Sequence, residues 1–457
     1  MNIKGKNILV LGLGDTGLSM VRWLVRQGAI VRAADSRESP PHAAKIRAEW
    51  PQVEVLTGEI NAACFENIDL IAISPGVPLA SLPATRVPVV GDVELFAQAL
   101  VQDQAPRQAK VIAITGANGK TTVTALCGAM CAQSGARTVV AGNIGLPVLD
   151  ALCAIEDGAA MPEIFVLELS SFQLETTSTL HADAATVLNV TQDHLDRYAD
   201  MNAYAAAKAR IFAGNGVQLL NREDAYSQAM AVPGRKIETF GLRAPANDAE
   251  WGLAQVDGAD WLAHGQEKLM PCRDIPLAGR YNAANALAAL GLCSAIGLPM
   301  APLLAALRGF KGLPHRVQKV AEIADVIFYD DSKGTNVGAT VAALSGMREP
   351  VVLIAGGEGK GQDFSPLKPA CAAHARAVVL IGRDALLIEA AVAGCGIPLL
   401  RARDMEEAVR MAFQASQAGD AVLLSPACAS FDMFRNYEHR AQVFVAAVEK
   451  LQQERAA

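Results

Sequence analysis

Short apolar, β-branched runs alternate with amphipathic stretches along almost the whole chain, and many of the runs end in a glycine turn that opens a helix. Such alternation confines the fold to α/β layers, with mostly parallel strands and helices on their faces. A first series reads "NILVLG", "GLSMVRWLVRQG", "IVRAAD", a helical stretch over residues 43 to 50, and "LIAISPGV". A second opens at Val111 and includes "RTVVAGNIG", "EIFVLELSS" and "ADAATVLNV". After Val217, strands around Ile237 and a turn-rich stretch with Trp251 and Trp261 read as antiparallel, before "NAANALAALGLCSAIG" returns to helix. In a third series "VIFYDDS", "VVLIAGG", "AVVLIG" and "AVLLSP" alternate with helices.

A chain of 457 residues exceeds the ~250–300 at which one core stops growing. Polar "QDQAPRQAK" (102–110) and glycine-rich "GFKGLPHRVQ" (309–318) read as linkers. The expectation is three α/β domains over 1–106, 107–311 and 312–457. The outer two are Rossmann-like, and the central one is a phosphate-loop ATPase unit with a small antiparallel part.

Net charge is −7 and no Lys/Arg run stands out, which argues against nucleic acid as a partner. No apolar run approaches the ~18 residues of a membrane span, and "MNIKGKNILVLGLGDTG" goes straight into a strand without a leader pattern. A cytoplasmic protein with no membrane partner is expected. The nine cysteines are scattered; Cys127 and Cys131, four apart on one helix, read as core packing, not as a zinc or disulfide pair.

"VIAITGANGKTTVTAL" (111–126) runs from a strand through Gly116 and Gly119 into a helix headed by Lys120, Thr121 and Thr122. Such a junction aims backbone N–H groups and the positive helix end at one anion. Lys120 would add a charge on the β/γ-phosphates and Thr121 a hydroxyl for Mg²⁺. Ile114 stands where the common G-x-x-x-x-G-K-[ST] pattern has its first glycine. Downstream, Glu168 in "FVLELSSFQLE" and Asp193, His194 and Asp196 in "LNVTQDHLDRY" follow buried strands, where parallel sheets present ligand groups. With a phosphate loop they suggest Mg–ATP. "LGLGDTG" places Gly12, Gly14 and Gly17 in G-x-G-x-x-G spacing, with Asp35 ending the next strand. Alone this is a dinucleotide fingerprint, so an NAD-linked oxidoreductase is a rival reading, as is a regulatory or transport ATPase.

"GANGKTT", "AGNIG", "ELSSFQLE", "NVTQDHLDRY", "AAAKARIF", "RYNAANALAA", "GLPHRV", "DDSKGTN", "GGEGKGQDFSPL" and "SPACASFDMFRNYEHR" occur in collinear order, and together the chain resembles the Mur ligase family. That family's phosphate loop also lacks the first glycine. The resemblance implies a monomeric, ATP-dependent ligase of peptidoglycan precursor synthesis, in which a UDP-sugar, ATP and an amino acid are handled by successive domains. The Asp-Ser-Lys-x-Thr-Asn pattern within "DDSKGTN" is that of the branch that adds D-glutamate to UDP-N-acetylmuramoyl-L-alanine. Sister enzymes carry His- or Asn-centred segments there.

Carried over residue by residue, the resemblance implies that Gly116, Asn118, Gly119, Lys120, Thr121, Thr122, Asn282, Asn285, Arg316 and Asp331 bind ATP. It gives Gly14, Asp15, Thr16, Asp35, Ser36, Arg37, Gly76, Asn143, Ser170 and Gln173 to the UDP-sugar. Lys333, Thr335, Lys360, Ser430, Phe431 and Tyr437 fall to D-glutamate, although the family pattern has phenylalanine at 437. Thr121, Glu168, His194 and Lys208 would serve two Mg²⁺ ions, Lys208 as a carbamate. Carbamylation needs a neutral amine, so burial or neighbouring cations must lower the Lys208 pKa. The runner-up within this class is a sister ligase or a folylpolyglutamate-type enzyme.

Overall fold

The computed structural model describes residues 2–102, 109–277 and 279–456. Most of the expected first linker, 103–108, and the boundary at 106/107 lie outside the described residues. Three sheets follow one another along the chain.

The first is five-stranded and wholly parallel, ordered Glu54–Thr57, Ile30–Asp35, Asn7–Leu11, Leu70–Ile73, Val89–Val90. Asn7–Leu11 lies at its centre, where the winding direction reverses. That crevice, at the carboxyl ends of the strands, is where open α/β sheets bind ligands, and the Gly12 turn sits there.

The second sheet has nine strands. From one edge, Thr138–Gly142, Ile164–Glu168, Lys110–Thr115, Ala184–Val187, Val217–Asn221, Ile237–Phe240 and Glu250–Val256 all run parallel. Only Ala259–His264 runs the other way, pairing antiparallel with Glu250–Val256 on one side and Glu267–Pro271 on the other. The antiparallel part is therefore smaller than the reading from Ile237 onward. Between Asn221 and Ile237 the chain inserts the helix Ala225–Ala229, which supplies a crossover. Val256 and Ala259, by contrast, are joined only by Asp257 and Gly258, both at positive φ (49° and 77°), the Asp-Gly signature of a tight hairpin. The helices Lys120–Gln133, Arg280–Ala295 and Met300–Gly309 pack together around a core that includes Val123, Leu126, Leu287 and Leu303. Cys127 and Cys131 are buried free thiols in that core.

The third sheet is ordered Gln318–Ile323, Val326–Asp330, Ala421–Leu424, Val351–Gly356, Ala375–Ile381, Leu399–Arg401. Its first strand pairs antiparallel, a departure from the purely parallel unit expected. Ala324 and Asp325, at φ 49° and 64°, turn the chain back at once, and "QKVAEI" alternates too weakly to announce a strand. The three-residue strand Leu399–Arg401 was too short to read.

Two seams join the units. Across the first, Arg22 pairs with Asp150, Arg26 with Asp157 at 2.7 Å, and Gln27 donates to Glu156 at 2.7 Å. Phe96 meets Phe165 edge-on at 5.1 Å, and the Glu94 carboxylate accepts from the backbone N–H groups of Ser178 and Thr179. Across the second, Asn118 and Asn336 exchange side-chain amide hydrogen bonds of 3.2 and 3.0 Å, and Asp363 N–H donates to Gln192 Oε1. Among the described residues no helix is long and apolar enough to cross a membrane.

The turn at the head of the first helix is set by close backbone approach. A Cβ on Gly17 would stand 1.9 Å from Gly12 O, so Gly17→Ala should destabilise the chain by about 1–3 kcal/mol through overpacking. Urea unfolding followed by circular dichroism tests this; a midpoint equal to wild type would refute the contact.

Candidate active site

The strand Lys110–Thr115 is fully buried from Val111 onward and delivers the chain to a loop whose last residue, Gly119, caps the helix Lys120–Gln133 at φ 85°. A side chain at 119 would be strained by that φ, and its Cβ would lie 2.7 Å from Asn285 Oδ1. Lys120 Nζ donates to Gly116 O at 2.8 Å and Ala117 O at 3.0 Å. Lys208, on the helix Met201–Ala209 and 1 % exposed, donates to the same Gly116 O at 3.0 Å. Two ammonium groups therefore share one carbonyl. Burial lowers the Lys120 pKa and Arg316 adds to it, against the opposing charges of Glu168 and Asp193. Burial, then the charge of Lys120, brings Lys208 well below the ordinary lysine range. Its ammonium also lies 4.4 Å from the centre of the Tyr204 ring.

Glu168 ends its strand 1 % exposed. Oε1 accepts from Asn143 Nδ2 at 2.9 Å, while Oε2 is buried without a hydrogen-bond partner. A buried carboxylate oxygen left without a donor suits a cation. His194 sits at φ 56°, its ring edge-on to Phe172 at 4.7 Å. Burial lowers its pKa; Asp193 opposes this, and Lys360, Lys120 and Lys208 reinforce it. The balance favours the neutral imidazole, the form with a lone pair to give. Among the described residues no group of three or more His, Cys, Asp or Glu side chains forms a ready metal cage. The donor set fits an ion that takes few protein ligands and completes its shell with phosphate oxygens and water, as Mg²⁺ does.

The third domain reaches this loop directly. Arg316 Nη2 donates to Thr121 Oγ1 at 2.9 Å. Asn336 binds Asn118 and also donates to Asp193 Oδ2 at 3.3 Å. A pocket beside the loop is lined by Asn118, Gly119, Thr122, Asn282, Asn285, Arg316 and Asp331, all of them residues expected at the nucleotide. Asn285 Nδ2 donates to Asn282 Oδ1 at 3.1 Å, fixing both amides on the pocket wall. Burial pushes the Asp331 pKa up to about 7, against the opposing Ser425 hydroxyl and Arg316. Lys333 lies 3.3 Å from the Tyr437 hydroxyl, and burial, with Arg316, lowers its pKa.

Thr335 is half-buried two residues beyond Lys333. Lys360 adopts φ 51° in its glycine loop, close enough for its charge to act on His194. Ser430 is buried, whereas Phe431 beside it is 67 % exposed; the structure leaves that ring outside the packed part of the pocket. The buried Arg440 donates to Ser332 Oγ, Ser332 O and Cys428 O, bracing the segment before Lys333.

In the first domain, Asp35 Oδ2 accepts from Leu13 N–H at 2.7 Å, and both carboxylate oxygens accept from the Arg37 guanidinium. Asp35 thus holds the glycine turn as well as facing the crevice. Gly14 caps the helix Asp15–Arg26; Asp15 Oδ1 lies 2.7 Å from His42 Nε2, Thr16 is half-buried and Gly76 is exposed. Ser36 is exposed. Ser170 and Gln173 are tied into a capping box, and Gln173 Nε2 donates to Asp92 Oδ2 at 3.1 Å. Gln173 is 2 % exposed, so the structure places it in the first seam, while Asn143 lies against Glu168.

Sequence reading missed Asn189, Asn336, Arg440 and Arg197. Asn189 Oδ1 accepts from Asn118 N–H at 2.8 Å. Of these, Asn336 carried a signal, because it closes the "DDSKGTN" segment and caps the following helix.

Together these features define a three-domain phosphate-loop protein whose second and third domains meet around one pocket beside that loop. The chain belongs to the Mur ligase family: the MurD-like N-terminal domain matches residues 6–90, the Mur ligase middle domain 114–293, and the Mur ligase glutamate ligase domain 315–428. It is 57 % identical over 463 residues to the UDP-N-acetylmuramoylalanine–D-glutamate ligase of Nitrosospira multiformis, covering 100 % of this chain and 98 % of that one. It is 58 % identical to the enzyme of the same name from Thiobacillus denitrificans, with the same coverage. Among solved structures, MurF from Acinetobacter baumannii superposes with a TM-score of 0.62 at 17 % identity, over 99 % of this chain and 91 % of that one. UDP-N-acetylmuramate–alanine ligase from Thermotoga maritima gives 0.59 at 19 %, over 98 % and 100 %.

Burial alone would raise the Asp35 pKa, but Arg37 and the Leu13 and Arg37 N–H groups outweigh it and hold it at about 2. The unfolded value is ~3.9, so the unfolded state binds more protons between the two. The stabilisation is full above pH ~4 and is lost as pH falls towards 2. Asp35→Asn should therefore lower the denaturation midpoint at pH 7 and converge with wild type near pH 2. A constant difference across that range would contradict the assignment.

Proposed function

We propose that this chain is the cytoplasmic, ATP-dependent ligase that joins D-glutamate to UDP-N-acetylmuramoyl-L-alanine in peptidoglycan precursor synthesis. The observation that carries this reading is the meeting of cations from two domains at one phosphate loop, with Arg316 bonded to Thr121 beside the paired Lys120 and Lys208. Full-length identity above one half to D-glutamate ligases supports the choice of substrates.

A carboxylate and an amine do not condense in water without activation. The carboxylate of the lactyl-L-alanine moiety attacks the γ-phosphorus of ATP, the bond to the β-γ bridging oxygen breaks, and ADP leaves. The D-glutamate amine then attacks the acyl phosphate carbon, loses a proton, and inorganic phosphate departs. The protein positions these groups and neutralises charge. Loop N–H groups and Lys120 face the transferring phosphoryl group. Asn282, Asn285 and Asp331 hold the adenosine, and Arg316 reaches the phosphates from the third domain. Lys333, Thr335, Lys360 and Ser430 surround the amino acid, with Lys360 on a carboxylate.

Thr121, Glu168 and His194 would hold Mg²⁺, two ions in all, which when bound neutralise phosphate charge. As an ammonium, Lys208 has no lone pair to offer. Its lowered pKa supports capture of CO₂ as a carbamate, which would turn a buried cation into an anionic ligand for the second ion.

Phosphate release from ATP and Mg²⁺ with UDP-N-acetylmuramoyl-L-alanine should depend on D-glutamate, and not on L-glutamate, L-alanine or meso-diaminopimelate; release with another amino acid would overturn the substrate assignment. Lys120→Ala and His194→Ala should retain UDP-sugar binding yet lose about 10²–10³ in kcat, the usual scale for a group that stabilises transition-state charge. Near wild-type turnover in either would remove it from the site. Lys208→Ala should be nearly inactive and recover with an added short carboxylic acid, an outcome excluded if the variant is fully active unaided.

A further inference from the structure

Arg197 is half-buried between the first two domains, and nothing in the proposed chemistry uses it. Its side chain is 13 % exposed. Nη1 donates to Pro75 O at 2.9 Å; Nη2 donates to Val77 O and to Glu175 Oε2, both at 3.3 Å. The plane lies 4.0 Å from the centre of the Phe172 ring. Besides its ion pair with Glu175, the guanidinium reaches two main-chain carbonyls of the neighbouring domain, which fixes geometry as well as charge.

Those carbonyls belong to the back wall of the glycine turn. Ser74 N–H donates to Leu11 O at 2.8 Å, and a Cβ on Gly12 would lie 2.8 Å from Val77 Cγ2 and 2.9 Å from Ser74 Cβ. The segment 74–77 can move only if the turn moves with it. On the other side, Phe172 meets the His194 ring at 4.7 Å, and Arg197 N–H donates to His194 O at 2.9 Å. This backbone bond closes the turn that keeps His194 at φ 56°, a conformation a non-glycine residue holds only when its surroundings enforce it.

We propose that Arg197 is a positioning residue that keeps the first domain's diphosphate-binding turn in register with His194. A substrate anchored by its diphosphate at Gly14 then presents its far-end carboxylate at the phosphate loop. The inference rests on the proposed ligase reading, and it concerns the UDP-sugar alone: the nucleotide pocket of Asn282, Asn285 and Asp331 lies at the second seam, away from this tether.

The test is steady-state kinetics of wild type, Arg197→Lys and Arg197→Gln, with thermal melting alongside. In Arg197→Gln the KM for UDP-N-acetylmuramoyl-L-alanine should rise about tenfold and kcat fall about tenfold, the scale of a misregistered substrate, while the KM for ATP stays within about twofold. Arg197→Lys, which keeps the charge but cannot span both carbonyls, should fall between. An unchanged UDP-sugar KM, or UDP-sugar and ATP KM values rising together, would overturn the proposal in favour of a merely structural contact. If Arg197→Gln does not fold, Arg197→Lys is read by the same criteria. A wild-type chain inactive with D-glutamate strikes the ligase reading itself; an active wild type with variants of unaltered kinetics strikes only the role of Arg197.

Discussion

Two buried lysine amines, from Lys120 and Lys208, converge on the single carbonyl oxygen of Gly116, and much of the surrounding structure bears on the charge they can carry. Like charges at such range and burial cost far more than in water, so the arrangement persists only beside groups that oppose it. Glu168 and Asp193 provide that, and both raise the Lys120 pKa against the effect of burial. Arg316 brings a further cation, and Asp331, with a pKa near 7, contributes less than a full negative charge at neutral pH. The centre is rich in positive charge and helix-end dipole, a setting that favours an anion.

Domain architecture divides that task. The first sheet reverses its winding at Asn7–Leu11 and leaves a crevice at Gly12; the second carries the phosphate loop in the middle of its parallel part. The third supplies no phosphate turn of its own to this centre, and instead projects Arg316, Asp331, Lys333 and Asn336 onto the second. No single domain holds a complete site.

What the sequence revealed divides along the range of the interactions. The glycine turns, the Lys120 junction and the acids closing buried strands are local patterns, and each was visible in a few residues. Lys208 was placed only by the family resemblance: by composition a lysine in "AYAAAKARIF" looks solvated, and it is the fold that carries it to Gly116, 92 residues away in sequence. Arg440 was hidden for the same reason, and Asn336, though it closes a quoted motif, gave no sign of its contact with Asn118; their partners lie 108 and 218 positions off. The extent of antiparallel pairing was misjudged because strand direction depends on what joins the strands. A short helix after Asn221 and a two-residue Asp-Gly turn after Val256 give opposite directions to strands of similar composition. Gln173 and Asn143 show the converse: a motif resemblance places a residue near a site but leaves open whether its polar atoms face the ligand or the scaffold.

The two seams differ in chemistry. The first is laced on its outer side by Arg22–Asp150 and Arg26–Asp157, ion pairs partly open to solvent. The second is stitched by the Asn118–Asn336 amide pair and by a main-chain bond to Gln192. Counter-ions screen the former and hardly touch the latter. Ionic strength is therefore a selective lever on this molecule: it weakens the charged lacing on the outside of the first seam more than the amide stitching of the second.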